Sequence, residues 1–76
     1  MHVLIVEDEP AYVDALSVAL EREGFDVSAA IDGRAGVAAF VEDVPDIGLL
    51  DLMLPEMSGL DVLRRIRAEG TTPEFV

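Results

Sequence analysis

Leu49-Leu50-Asp51-Leu52-Met53-Leu54-Pro55-Glu56-Met57-Ser58-Gly59 closes an apolar run on a lone carboxylate, then places Pro55 and Gly59 at fixed spacing after it. The run that ends there, Ile47 to Leu50, has the length and composition of a buried strand. A second apolar run, Val3-Leu4-Ile5-Val6, closes on the acidic pair Glu7-Asp8. If the two runs are neighbouring parallel strands, Glu7, Asp8 and Asp51 meet at one edge of the sheet. Carboxylates gathered in this way repel and raise one another's pKa unless a cation joins them. Oxygen ligands of this kind suit a hard divalent ion, Mg²⁺ first among them. An acidic site of that type points to phosphoryl chemistry.

Outward from these runs, strands and helices alternate. Met1 to Val6 reads as a strand, and Pro10 fits the first turn of a helix, preceded by acids that suit its positive end. Tyr12, Val13, Leu16, Ala19 and Leu20 repeat at helical spacing until Gly24 stops the segment. Phe25 to Ala30 reads as a second strand, and Asp32-Gly33 as a turn. Arg34 to Val41 follows as a helix with Val37, Phe40 and Val41 on one face. Gly36 in its interior weakens it by about 1 kcal/mol relative to alanine. Pro45-Asp46 breaks the chain before the strand Ile47 to Leu50. Ser58 is a candidate N-cap, with Asp61 as its capping-box partner. Leu60, Leu63 and Ile66 or Arg67 carry a third helix to Gly70, and Thr71 to Val76 begins a fourth strand. The order β-α-β-α-β-α with such short connections implies a parallel sheet with right-handed crossovers.

Composition narrows the function. Seventy-six residues make one small domain, and without cysteine neither a disulfide nor a thiolate metal site is available. The net charge is −11, from sixteen acids against five arginines and no lysine. Such a field repels nucleic acid and anionic lipid. Most of the acids read as a solvated surface; Glu7, Asp8 and Asp51 differ because they sit where apolar runs end. There is no basic leader segment and no apolar stretch of membrane-spanning length, so a cytoplasmic protein is expected. His2 reads as a surface or strand-edge residue, and the methionines as core or loop filler.

Together these residues carry a resemblance. Val3-Leu4-Ile5-Val6-Glu7-Asp8-Glu9, Asp32-Gly33, Pro45-Asp46 and Leu50 through Gly59 make the chain similar to the N-terminal part of a two-component response-regulator receiver domain. The acidic pair alone is a weak signal; joined to D-x-x-x-P-x-x-x-G after the third strand it is specific. The resemblance implies an α/β fold, a truncated flavodoxin-like doubly wound parallel sheet with strand order 2-1-3. It implies Asp51 as phosphoacceptor from the phosphohistidine of a sensor histidine kinase. Asp8, Asp51 and the backbone carbonyl of Met53 would hold Mg²⁺, with Glu7 acting through a metal-bound water. Pro55 and Gly59 would shape the loop after the acceptor.

The chain also departs from that family's pattern. Its last two β-α units are missing, and with them a strand-end hydroxyl residue and a strand-end lysine. Residues 1–76 therefore read as a partial receiver domain, truncated and impaired in switching. Gly36, Gly48 and Glu74 stand where the family favours alanine, a branched apolar residue and a buried strand residue; each should loosen the fold. The third strand becomes a sheet edge, and an apolar edge invites pairing with another chain, giving a homo-oligomer through the edge of Ile47 to Leu52 or through the broken fourth strand. The alternative function is a self-associating interaction fragment without phosphoryl chemistry. A DNA-binding effector domain belongs, if anywhere, to a longer parent protein. A haloacid-dehalogenase-type phosphohydrolase needs a second aspartate two residues after the nucleophile, where Met53 stands. Dinucleotide binding lacks its G-x-G-x-x-G.

Overall fold

The computed structural model of the chain describes residues 1–51, 54, 57–68 and 74–75. Strand β1 (His2–Val6) lies at the centre, with Val3 through Val6 all buried. A strand covered on both faces needs an unbroken apolar run, which is why its sequence shows no alternation. It pairs in parallel with β2 (Asp26–Ala30), from His2↔Asp26 to Val6↔Ala30. On its other side it pairs in parallel with β3 (Ile47–Leu50), from Val3↔Ile47 to Val6↔Leu50. The expected order 2-1-3 is therefore present. A further strand, β4 (Glu74–Phe75), pairs in parallel with Ile47 and Gly48 and extends the order to β2-β1-β3-β4.

That fourth strand corrects one expectation. The β3 edge is covered at Ile47 and Gly48. Strand β4 follows the third helix in the chain and lies on the side of β3 away from β1.

Helix α1 (Pro10–Arg22) begins with proline at N1, and the Glu9 side chain accepts the Ala11 N–H at 3.4 Å. It ends before Gly24, whose φ of +90° is a left-handed conformation that suits glycine. Helix α2 (Gly33–Glu42) starts one residue earlier than the sequence suggests, because Asp32 is its cap and accepts the Ala35 N–H at 2.8 Å. In helix α3 (Gly59–Ala68) the expected cap is formed, with Ser58 Oγ accepting the Asp61 N–H at 3.2 Å. The expected stop at Gly70 lies outside the described residues.

The core lies between the sheet and the α2–α3 layer. Leu4 and Val6 of β1 meet Phe40 of α2, Val62 and Ile66 of α3, and Leu54 and Met57 of the preceding loop. Packing decides which apolar positions of each helix are covered. In α3 the buried set is Gly59, Val62 and Ile66, while Leu60 is 55% exposed. Residues 59, 62 and 66 share one face at 3.6 residues per turn, and Leu60 lies about 100° around from the first of them. In α2, Phe40 is buried with Gly33 and Gly36, and Val41 points to solvent. In α1 no residue is buried, and Tyr12 is 64% exposed. Its apolar stripe faces a side of the sheet on which no other described helix packs, so it is covered only in part.

Gly36 is a correction of another kind. A Cβ there would stand 2.8 Å from Val6 Cγ2 and 2.9 Å from Cγ1. The missing side chain is what lets α2 lie close on β1. Glycine at this position tightens the packing against β1, contrary to the loosening expected from propensity alone. The side chain of Glu74, expected to burden the fourth strand, lies outside the described residues.

Candidate functional site

Two backbone hydrogen bonds build the site. The Glu7 N–H donates to the Ala30 carbonyl at 3.0 Å, and the Asp51 N–H donates to the Val6 carbonyl at 3.0 Å. Each carries a parallel ladder one residue beyond its strand. The ends of β1 and β3 are thereby level, which brings the acids after one strand beside the acid after the other. Carboxylate oxygens of Glu7, Asp8 and Asp51 all lie within 4.8 Å of one another. Glu7 and Asp51 are half-buried and Asp8 is exposed. The sequence expectation that these three residues converge is met. The Met53 carbonyl and Pro55 lie outside the described residues; Gly59 is buried as the first residue of α3.

The electrostatics follow from the convergence. Glu7 is pushed up from 4.5 to about 7, first by its hydrogen bond to the Asp51 side chain. Partial desolvation and the negative charges of Asp51 and Asp8 push the same way, and a backbone hydrogen bond at Asp8 opposes them. Without a counter-ion the cluster therefore relieves repulsion by holding a proton on Glu7, which donates to Asp51. Three oxygen donors gathered in this way fit a hard divalent cation such as Mg²⁺.

An open groove of about 540 Å³ runs from the acids along the α1 face of the sheet, lined by Ile5, Tyr12, Leu16, Leu49, Leu50, Glu7 and Asp51 among others. Sequence reading placed Tyr12 and Leu16 at helical spacing and did not identify them as groove residues. Helical period gives the direction of a stripe but not what covers it, so no signal in the sequence could have shown the groove. His2 belongs to the opposite end of the sheet. Its N–H donates to Asp46 Oδ2 at 2.7 Å, and its Nε2 meets Ser28 Oγ at 2.7 Å. It lies at the start of β1, away from the acid cluster, and is not brought to the site.

An open α/β sheet with an acidic site at the carboxyl ends of its central strands defines a class of ligand-binding folds whose crevice lies where strand order reverses. Comparison with known proteins makes the class specific. Residues 3–76 match the family model of the response regulator receiver domain, and the chain belongs to that family. It is 51% identical over 72 residues to the transcriptional regulatory protein CseB of Streptomyces coelicolor, covering 95% of this chain and 31% of that protein. Among solved structures it is similar to the N-terminal domain of an uncharacterized protein from Wolinella succinogenes. That match has a TM-score of 0.94 at 33% identity and covers 99% of this chain and 60% of the other. It is also similar to the response regulator protein TrrA from Thermotoga maritima, solved in complex with Mg²⁺-BeF. There the TM-score is 0.90 at 30% identity, over 97% of this chain and 64% of the other. The chain spans about a third of the length of the curated relatives it matches. Receiver domains of this family are phosphoacceptor modules of two-component signalling. No helix among the described residues is long and apolar enough to cross a membrane.

Proposed function

We propose that this chain is the phosphoacceptor module of a transcriptional response regulator, with Asp51 as the residue that takes the phosphoryl group from a sensor histidine kinase. The observation that carries the reading is the convergence of Glu7, Asp8 and Asp51 within 4.8 Å at the end of the central strands. One Asp51 oxygen attacks phosphorus of the donor phosphohistidine. A P–O bond forms as the P–N bond breaks, and the imidazole nitrogen keeps the bonding electron pair. Positioning and charge neutralisation dominate such a transfer. Mg²⁺, when bound, neutralises charge on the transferring group. Asp8 and Asp51 would hold it by carboxylate oxygens, with the Met53 carbonyl as a third protein oxygen and Glu7 acting through water. The half-buried setting of Asp51 at the mouth of the apolar groove limits the water around its carboxylate. A DNA-binding effector in the parent protein is supported by relatives named as transcriptional regulators.

A second reading, self-association without phosphoryl chemistry, is favoured by one feature. The groove beside α1 leaves Tyr12 and Leu16 exposed. Contiguous apolar surface of this kind is where a second chain docks. Acyl-phosphate chemistry separates the two readings. Radiolabelled acetyl phosphate with Mg²⁺ should give a hydroxylamine-labile label on the wild-type chain and none on Asp51→Asn. An equal label on both would remove Asp51 from the acceptor role.

A further inference from the structure

Away from the acid cluster, the chain's scarce cations gather in one place. Arg34, Arg64 and Arg65 are three of only five basic residues against sixteen acids, and together with Met57 and Asp61 they line a single concavity of about 470 Å³. Arg34 comes from the first turn of α2, and Arg64 and Arg65 from α3. Their meeting depends on Gly33, where a Cβ would stand 2.9 Å from Met57 Cβ and 3.0 Å from Val62 Cγ2. Without that side chain, the start of α2 seats directly against α3.

Among the described residues the charges in this concavity are not balanced from within. Asp61 pairs with Arg64 at 3.5 Å, and the other ion pair among the described residues, His2 with Asp43, involves neither Arg34 nor Arg65. Arg34 also sits against local preference. The first turn of α2 holds no acid beyond its Asp32 cap, and a cation there opposes the positive end of the helix dipole. In a chain so rich in acids, a lone cation at a helix start next to two further guanidinium groups is an arrangement an anion would stabilise.

We propose that this concavity is a binding site for a small multivalent phosphate-type oxyanion, separate from the acidic site. Guanidinium groups present planar donor forks that match phosphate oxygens two at a time. The volume falls within the range of small-molecule sites. The chain's own field selects for size. A nucleic acid or a long acidic peptide would extend across a surface of net charge −11 and be repelled over most of its length. A compact anion lies within one Debye length, about 8 Å at physiological salt, of the three arginines.

The test uses pyrophosphate as the probe, titrated into the ¹⁵N-labelled chain without Mg²⁺ and at matched ionic strength. Saturable shifts centred on the amides of Arg34, Arg64 and Arg65 are expected at millimolar concentrations. The double variant Arg34→Gln/Arg65→Gln should bind roughly tenfold more weakly or worse, the loss expected for removing charge-assisted hydrogen bonds. Arg22→Gln on α1 loses charge without touching the concavity and should keep wild-type affinity, and circular dichroism should show every variant folded. No saturable shift, equal weakening by Arg22→Gln, or undiminished binding to a folded double variant would each overturn the site. Citrate binding as tightly as pyrophosphate would overturn the phosphate assignment.

Discussion

Glu7 is the residue at which the cost of the acid cluster is measured. Its carboxyl is raised from 4.5 to about 7 in the folded chain, so between those values the folded state binds more protons than the unfolded one. Glu7's contribution to the stability of the metal-free protein then falls as pH rises from about 4.5 to about 7, and levels off above. Urea midpoints across that range should decline in wild type and decline less in Glu7→Gln. Mg²⁺ should offset the loss at neutral pH, because a ligand that binds only the folded state stabilises it by mass action. Asp8→Ala follows the same logic with two opposite signs. It should weaken Mg²⁺ binding and, by removing one of the mutually repelling carboxylates, raise the metal-free midpoint. Isothermal titration with Mg²⁺ reads the first effect, and unchanged affinity would refute Asp8 as a ligand. At this scale the sequence was most legible. Three acids after apolar runs already marked the site, because a charge directly after a buried strand has few places to be but the sheet edge. Arg34, Arg64 and Arg65 were illegible, since their meeting depends on how closely two helices approach.

Elements show where propensity and packing part company. Alanine at position 36 would gain about 1 kcal/mol of helix propensity over glycine. Its Cβ, however, would lie 2.8 Å from Val6 Cγ2, on a strand that is fully buried. Overpacking of this kind costs about 1–3 kcal/mol, so Gly36→Ala should lower the denaturation midpoint despite the better helix former. A higher midpoint would mean that α2 can lift off β1 at little cost. Asp32→Ala tests a simpler element. Losing the side chain that accepts the Ala35 N–H at 2.8 Å should destabilise by about 1 kcal/mol, as N-cap deletions do. Strand positions, the Ser58 cap and the alternating order were readable because each rests on local chemistry. The buried faces of α1 and α3 were not. Leu60 and Tyr12 have the right residue type at a helical spacing, and only the neighbouring elements decide which part of an apolar stripe is covered.

The whole molecule combines a closed side and an open one. Between the sheet and the α2–α3 layer, Phe40, Val62 and Ile66 are all but inaccessible to water, while on the α1 side a groove leads from solvent to Asp51. Substituting Tyr12 with serine should therefore change stability little, since the side chain is 64% exposed. If the groove mediates self-association, the same change should reduce the sedimentation-derived association constant, whereas an unaltered constant would exclude Tyr12 from the contact. Topology was legible at this scale because parallel crossovers leave few arrangements. The return of β4 to the β3 edge was legible only as the beginning of a strand. The central claim, that the acids at the end of β1 and β3 form a phosphoacceptor site, is tested most directly by intact mass after incubation with acetyl phosphate, with and without Mg²⁺. A gain of one phosphoryl group that requires Mg²⁺ and disappears in a folded Asp51→Asn variant is the predicted result. A folded wild-type chain that gains no phosphoryl group, or gains it equally in Asp51→Asn, would contradict it.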